Sequence, residues 1–264
     1  MTPIRIQGAT LRYLGDSSAI FSGLEVRFEP ATWTAILGPS GCGKSTLLRY
    51  IAGLLTDKVE FSATEFSPPL DVLAGQVAYM AQQDLLMPWL SVLDNVCLAS
   101  RLNGKKVDAR TLQKALSLLE KVGLADKAAS NPNDLSGGQR QRVALARTLM
   151  QDKSVVLMDE PFSALDAVTR YKLQALASNL LKDKTVLLIT HDPQEALRLG
   201  EQILVMNGKP ARLHSITPPK QGIPRDIDGE FAAIQQSILE HLAGSHTEKL
   251  DVPERQGGSH DATR

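Results

Sequence analysis

Few features of this 264-residue chain point to a secreted or nucleic-acid-binding protein. It has only two cysteines, Cys42 and Cys97, which argues against a disulfide framework, so a reducing compartment is expected. Its 29 basic and 29 acidic side chains cancel, which leaves no net charge to attract nucleic acid. We therefore expect no nucleic-acid partner.

Long apolar runs are also missing. No stretch approaches the roughly 20 apolar residues of a membrane-spanning helix, and the amino terminus lacks the positive-then-apolar pattern of a signal peptide. Any attachment to a membrane is therefore expected to come through a partner. A hydrophobic content of 43% in a chain of this length is nevertheless enough to bury a full α/β core.

A glycine-rich segment at residues 38–45 matches the pattern G-x-x-x-x-G-K-[ST]. The apolar run 33–37 before it is typical of a strand, and residues 46–53 after it have helical spacing with Gly53 as a stop. Strand, turn and helix are the context that this motif requires, which disfavours an ordinary glycine-rich turn. Backbone N–H groups can then surround phosphate oxygens, with Lys44 reaching the β- and γ-phosphates and Ser45 the Mg²⁺.

An acidic pair follows a second apolar run. Residues 155–158 are typical of a buried parallel strand, which would deliver Asp159 and Glu160 at its carboxyl end, where open α/β sheets bind ligands. Mg²⁺ favours one or two carboxylates together with phosphates, which suits Asp159. Glu160 is then placed to orient and deprotonate the attacking water; a solvated charge at a strand end is its alternative reading.

The segment 135–139, Leu-Ser-Gly-Gly-Gln, precedes a helix predicted over residues 140–150. A serine and two glycines before a helix create a second anion-binding helix terminus in the same chain. On these motifs the chain resembles the ATP-binding cassette (ABC) proteins over roughly residues 4–212. The resemblance implies a head-to-tail dimer, in which the signature segment 135–139 of one copy closes over the γ-phosphate held by the other.

The resemblance also assigns roles to individual residues outside these motifs. Tyr13 matches the aromatic residue that stacks on adenine, with a half-buried strand tyrosine as the alternative; Gln82 matches the glutamine that touches Mg²⁺ and water, although Gln83 is its neighbour. His191 matches the histidine at the γ-phosphate, and residues 163–166 match the loop that crosses the dimer interface. The implied catalytic residues are Lys44, Gln82, Glu160 and His191, and the implied metal ligands are Ser45, Gln82 and Asp159. The implied nucleotide-binding residues are Tyr13, Gly38, Pro39, Ser40, Gly41, Cys42, Gly43, Lys44, Ser45, Thr46, Ser136, Gly137, Gly138 and Gln139.

The predicted fold class is α/β: a P-loop NTPase parallel-sheet core with an antiparallel β subdomain and a helical signature subdomain. We expect a nucleotide-binding domain over residues 1–212, its helical subdomain at about 84–150, and a carboxyl-terminal extension over 213–264 whose last 20 residues are disordered. Finer expectations concern a helix face, a hairpin turn and a late helix. They are a buried face of Leu112, Ala115, Leu119 and Val122, a tight turn at Asn207-Gly208, and an amphipathic helix over 231–242.

Residues 85–96 look like the segment found in importer ATPases of the nitrate, sulfonate and taurine group. Residues 78–84 and 161–166 look most like subunits assigned to hydroxymethylpyrimidine, a thiamine precursor. The resemblance implies integral-membrane permease partners, a periplasmic or lipid-anchored substrate-binding protein, and a peripheral position on the cytoplasmic face of the membrane. Trp89 would line a groove for the permease or fill the core beside a turn. The alternative functions are import of nitrate, sulfonate or taurine, and a soluble ABC ATPase without a role in transport.

Overall fold

A computed structural model describes residues 2–102, 104 and 107–244 of the chain. The 20 carboxyl-terminal residues for which disorder is predicted lie outside these ranges. The strands are β1 (Ile4–Tyr13), β2 (Phe21–Phe28), β3 (Trp33–Leu37), β4 (Val59–Ser62), β5 (Glu65–Ser67), β6 (Val77–Met80), β7 (Val155–Asp159), β8 (Thr185–Ile189), β9 (Gln202–Gly208) and β10 (Ala211–Ile216). The helices are α1 (Lys44–Ile51), α2 (Leu70–Ala74), α3 (Val92–Val96), α4 (Leu98–Leu102), α5 (Ala109–Lys121), α6 (Gly137–Met150), α7 (Ala167–Leu180), α8 (Pro193–Leu199) and α9 (Gly229–Gly244).

The strands form one sheet in the order β4-β1-β2-β10-β9-β3-β8-β7-β6, with β5 also paired to β1. Five neighbouring strands, β9, β3, β8, β7 and β6, run parallel to one another. Every residue of β3, β7 and β8 is buried, because helices cover both faces of a parallel sheet. Since parallel strands share their carboxyl edge, the segments after β3, β6, β7 and β8 are brought to one place.

The antiparallel part consists of β1 paired with β2, β4 and β5. Residues 56–78, whose pattern was hard to interpret from sequence, supply β4, β5, α2 and the start of β6. Helices α3, α5 and α6 pack together, and their apolar residues share a core cluster with β7 and α7. The predicted combination of parallel core, antiparallel subdomain and helical subdomain is confirmed.

One residue of the predicted helical face is misplaced. Ala115 and Leu119 are buried in α5 and Val122 is buried directly after it, but Leu112 is 37% exposed and Leu118 is buried instead. Because an α-helix advances by roughly 100° per residue, Leu112 lies at the edge of the buried stripe, and Leu118 lies nearer to the centre of that stripe. The helix ends before Gly123, whose φ of 70° suits a helix stop.

The hairpin between β9 and β10 turns two residues later than predicted. Asn207 pairs with Arg212 and Gly208 with Ala211, so the two turn residues are Lys209 and Pro210. The predicted turn at Asn207-Gly208 is wrong, because both residues continue the antiparallel ladder. Strand β10 also crosses residue 212, the predicted limit of the nucleotide-binding domain.

The carboxyl-terminal helix α9 packs against the core. Phe231 and Ile238 are buried in a cluster with Ala35, Leu37 and residues of α8 and β9. The predicted stripe of Ile234, Ile238 and Leu242 faces this cluster. The segment after β10 is therefore attached to the body of the domain.

Candidate active site

The glycine-rich segment forms a loop between β3 and α1. At Gly38, whose φ is 156°, a Cβ atom would lie 2.1 Å from the Met206 carbonyl oxygen, and at Gly43, with φ 107°, it would lie 2.5 Å from Ile20. Only glycine allows the loop to pack this closely. No side chain caps the first turn of α1, and this turn holds no acidic residue. Its N–H groups are therefore available to an anion.

Lys44 is buried beneath this loop. Its Nζ donates hydrogen bonds to the carbonyl oxygens of Gly38 at 2.7 Å and Pro39 at 2.9 Å, and lies 3.9 Å from Cys42 Sγ. The ammonium is thus fixed at the centre of the loop, where it adds a positive charge to the free N–H groups. Ser40 and Gly41 form the exposed rim. A cradle of this kind fits a phosphate group.

A hard-oxygen site lies beside the start of α1. Ser45 Oγ donates to Asp159 Oδ1 at 3.0 Å, and Tyr79 Oη is 3.5 Å from Asp159 Oδ2. Asp159 is almost fully buried, and desolvation raises the pKa of its carboxyl group, opposed by the Ser45 hydrogen bond. Hydroxyl and carboxylate oxygens are the ligands that Mg²⁺ prefers. The described residues contain no group of three or more His, Cys, Asp or Glu side chains able to hold a metal, and a magnesium site that uses phosphate oxygens does not need one.

Two other predicted site residues meet at Glu160. Its Oε2 accepts from Gln82 Nε2 at 3.3 Å and lies 3.2 Å from His191 Nδ1. Residues that follow three different strands, β6, β7 and β8, therefore converge on one carboxylate oxygen. The side chain of Gln82, and not that of its neighbour Gln83, forms the hydrogen bond to Glu160.

The backbone at Glu160 is held in an unusual conformation. Its φ of 50° lies in the left-handed region, which costs about 1–3 kcal/mol for a residue other than glycine. The Glu160 N–H donates to the Ile189 carbonyl at 2.9 Å, and its own carbonyl accepts from Ser163 Oγ at 3.0 Å and Gln141 Nε2 at 3.5 Å. These bonds fix the direction of the carboxylate.

The signature segment caps α6. Ser136 Oγ accepts from the Gln139 N–H at 3.3 Å, and Gln139 Oε1 accepts from the Ser136 N–H at 2.8 Å. Ser136 and Gly137 are exposed, and a Cβ on Gly138 would lie 3.2 Å from the Ala164 carbonyl oxygen. Within the described residues, segment 136–139 makes no hydrogen bond to the phosphate loop. The two anion-binding helix ends of one chain are therefore not assembled into one site.

Tyr13 is half-buried at the end of β1, and its hydroxyl lies 3.3 Å from Thr46 Oγ1. This places the ring next to the first turn of α1. Asp166, at the end of the loop 163–166, caps α7 by accepting from the Thr169 N–H at 3.0 Å. The loop itself exposes Ser163 and Ala164.

Several contributing residues were missed by the sequence argument. Tyr79 touches Asp159, and its place on β6 next to β7 was the available signal. Arg140 Nε donates to Asp84 Oδ2 at 2.9 Å, and Arg147 donates to the carbonyls of Asp84 at 2.5 Å and Leu85 at 2.8 Å. These two arginines tie the segment after Gln82 to the signature helix α6. Arginine side chains that reach across a fold leave no local pattern in a sequence.

Comparison with known proteins agrees with this geometry. A family model described as ABC transporter matches residues 21–163, more than half of the chain. The chain belongs to the ABC transporter family. An uncharacterized ABC transporter ATP-binding protein of Haemophilus influenzae is 44% identical over 91% of this chain and 99% of its own length. The aliphatic sulfonates import ATP-binding protein SsuB of Bacillus subtilis is 36% identical over 92% of this chain and 94% of its own length.

Solved structures extend the likeness to three dimensions. A dimeric ATP-binding cassette in a post-hydrolysis state, bound to ADP and Pi, superposes with a TM-score of 0.68 at 28% identity, covering 85% of this chain and all of that one. The ABC protein described here is thus an ATP-binding transporter ATPase, as the motifs predicted. Among its described residues, no helix is long and apolar enough to cross a bilayer.

The cassette's two cysteines allow a test of the phosphate loop. Cys42 is 6% exposed beside the Lys44 ammonium, whereas Cys97 is 1% exposed in the helical core, where burial raises the pKa of its thiol. We expect a maleimide to modify Cys42 before Cys97, block ATP hydrolysis, and be excluded by bound Mg-ATP. Mass mapping of labelled peptides, with Cys42→Ala as control, measures this. Labelling of Cys97 first, or of Cys42 at an equal rate under saturating ATP, would show that Cys42 is only a buried filler.

Proposed function

We propose that this ABC protein is the ATP-hydrolysing subunit of a bacterial importer, that it works as a head-to-tail homodimer, and that it drives two permease subunits fed by a substrate-binding protein. Its place is peripheral, on the cytoplasmic face of the membrane. The observation that carries the catalytic part is the convergence of Gln82 and His191 on one oxygen of Glu160, beside the Ser45–Asp159 pair.

The nucleotide is held along α1 in this proposal. Tyr13 stacks on adenine, and the N–H groups of residues 40–46 with Lys44 bind the β- and γ-phosphates. Ser45, Asp159 and Gln82 would hold Mg²⁺, which supplies charge neutralisation on the phosphate oxygens. The oxygen-rich surroundings of Asp159 support this donor set.

In this proposal, hydrolysis proceeds by in-line attack of water on the γ-phosphate. Glu160, with its backbone fixed and its carboxylate bonded to Gln82, orients the water and accepts its proton. His191, whose Nδ1 lies 3.2 Å from Glu160 Oε2, contacts the γ-phosphate. Because phosphoryl transfer depends mostly on positioning and charge neutralisation, the remaining contribution comes from Lys44 and the signature serine of the second copy.

The second copy completes each site. Ser136 and Gly137 are exposed and make no bond to the phosphate loop of their own chain within the described residues, so they are free to meet a nucleotide held elsewhere. The exposed loop 163–166 supports the same interface. Two nucleotides are then enclosed between two copies.

Trp89 supports the permease contact. Its side chain is 75% exposed, which excludes the alternative of a core tryptophan. The buried Asn95 holds the surrounding loop with hydrogen bonds to Met87, Leu90 and Ser91. A large, amphipathic ring on a rigid loop is suited to an interface, and this loop is tied to the signature helix through Asp84.

Trp89→Ala is expected to leave the ATPase activity of the isolated subunit nearly unchanged and to uncouple it in the assembled transporter. Truncating a buried interface aromatic commonly costs about 2 kcal/mol or more, because its contact area is lost. Substrate uptake and ATPase activity of the transporter in proteoliposomes measure the effect. Val72→Ala, which shortens another exposed apolar side chain on α2, is the control. Normal uptake by the Trp89 variant would rule out the docking role.

The cargo is proposed on similarity alone, because the substrate of such importers does not touch this subunit. The motifs at 78–84 and 161–166 favour hydroxymethylpyrimidine, a thiamine precursor. The name of the Bacillus subtilis relative favours aliphatic sulfonates as the second candidate. Uptake of labelled hydroxymethylpyrimidine and of a labelled alkanesulfonate, by cells with and without this subunit, separates the two.

A further inference from the structure

Glu195 is a buried acid that the proposed reaction does not use. It lies in α8, four residues after His191, and only 5% of it is exposed. Its Oε1 accepts a hydrogen bond from Gln174 Nε2 of α7 at 3.0 Å, and its carboxylate also accepts from the Thr190 side chain. The Thr190 hydroxyl oxygen in turn accepts from the Asp192 N–H at 3.0 Å. One carboxylate therefore joins the residues on both sides of His191 to the helix α7.

Both connected elements reach the active site. Thr190 and Asp192 flank His191, whose Nδ1 is 3.2 Å from Glu160. Helix α7 begins directly after the loop 163–166, and Ser163 of this loop bonds to the Glu160 carbonyl. A small cavity connects these groups, lined by Glu160, Phe162, Ser163, Arg170, Thr190, His191, Asp192 and Glu195. A change in the position of Glu195 would therefore affect both His191 and the loop 163–166.

We propose that Glu195 is a positioning residue for ATP hydrolysis, which holds the His191 loop against α7 so that His191 stays aligned with Glu160. The inference rests on the proposed role of His191 at the γ-phosphate. Glu195 itself touches neither Glu160 nor the nucleotide-binding loop through any hydrogen bond in the described residues. It acts through Thr190 on one side and Gln174 on the other.

The charge of Glu195 is sensitive to pH near neutrality. Burial raises its pKa to about 7, opposed by the hydrogen bonds from Thr190 and Gln174. Above this pH the carboxylate accepts both bonds. Below it, one oxygen carries a proton and becomes a hydrogen-bond donor, so the carboxyl group accepts the two bonds less strongly. The other titratable or charged groups around it are Glu160, Arg170, Tyr171, His191, Asp192 and Arg198.

The first test compares Glu195→Gln with the wild type as a ratio of kcat values. The amide resembles the protonated acid, so the ratio isolates Glu195 from every other group that titrates. We expect a loss of about tenfold in the variant at about pH 8.5, where the wild type is ionised, and a ratio near one at about pH 5.5. Affinity for ATP should not change. The control Glu120→Gln alters an exposed acid on α5 and should match the wild type at both pH values.

The second test exchanges the partners. In the double variant Glu195→Gln with Gln174→Glu, the new amide donates to the new carboxylate and its oxygen accepts from Thr190. Both bonds are then restored, and only the bond between positions 174 and 195 has its donor and acceptor reversed. We expect kcat at about pH 8.5 to return to within roughly threefold of the wild type, whereas Gln174→Glu alone places two acids together and is worse. A role in stability alone would not predict this rescue.

A kcat of Glu195→Gln equal to that of the wild type at about pH 8.5 would overturn the inference, and this result decides even if the double variant does not fold. A double variant that folds but is no more active than Glu195→Gln would also overturn the inference. The variant His191→Ala distinguishes an error in the proposed role of His191 from an error in the positioning role of Glu195. If His191→Ala keeps normal ATPase activity, the proposed role of His191 is wrong; if it is inactive and Glu195→Gln is normal, only the positioning role fails.

Discussion

Glu160→Gln is expected to abolish nearly all ATP turnover while ATP affinity is kept. The amide has the shape of the carboxylate but cannot take a proton from water, and loss of a general base typically lowers the rate by about 10²–10⁴-fold. The binding loop and Asp159 are untouched by the change. A long-lived, ATP-bound dimer should therefore accumulate. Steady-state phosphate release and size-exclusion chromatography with Mg-ATP measure the two effects.

Glu120→Gln again provides the matched control, since it makes the same chemical change at an exposed position on α5. It should keep wild-type turnover and show no ATP-stabilised dimer beyond that of the wild type. Ordinary ATPase activity in the purified Glu160→Gln protein would refute the assignment of Glu160 as the base.

Ser136→Arg is expected to stop hydrolysis while ATP binding by the single chain is largely retained. The serine is exposed at the start of α6, so a long side chain fills the space where the second copy's nucleotide is proposed to lie. Loss of the helix cap costs only about 0.5–2 kcal/mol, which is too little to explain complete inactivation by unfolding. Nucleotide binding by equilibrium dialysis and phosphate release report the two properties separately.

Mixing Ser136→Arg chains with Lys44→Ala chains tests the composite site directly. In a mixed head-to-tail dimer, the intact Lys44 of one chain meets the intact Ser136 of the other, and one site is complete. With random pairing of equal amounts, about half of the dimers are mixed and about a quarter of all sites are complete. Activity near that fraction is expected. Absence of rescue at every mixing ratio would count against the head-to-tail arrangement.

The strands that carry the site were predictable because buried parallel strands have a simple signature. Residues 33–37 and 155–158 are short, mainly apolar runs, and the structure has strands at Trp33–Leu37 and Val155–Asp159. The residue at each carboxyl end follows from the strand itself. Asp159 and Glu160 could therefore be placed at a strand end from the sequence.

Less was predictable where a contact joins residues far apart in the chain. The links from Arg147 to residues 84 and 85, and from Glu195 to Gln174, cross between elements and leave no periodic pattern. The exposure of Trp89 was undecided for the same reason, since a tryptophan in a turn can point either way. The hairpin turn was misplaced because Asn-Gly is a strong local signal that the β9–β10 ladder overrides.

The sequence by itself determined that this protein has a glycine-rich loop between a strand and a helix, an acidic pair at a strand end, and a second helix that begins with a serine and two glycines. These properties depend on neighbouring residues, whose spacing sets the backbone conformation and the direction of a few side chains. Only the tertiary structure decided that Gln82, Glu160 and His191 meet at one oxygen, and that Glu195 holds the histidine loop to α7. The reason is physical: the position of a side chain relative to a distant one is set by how strands pair and helices pack over the whole domain, and no local pattern carries that information.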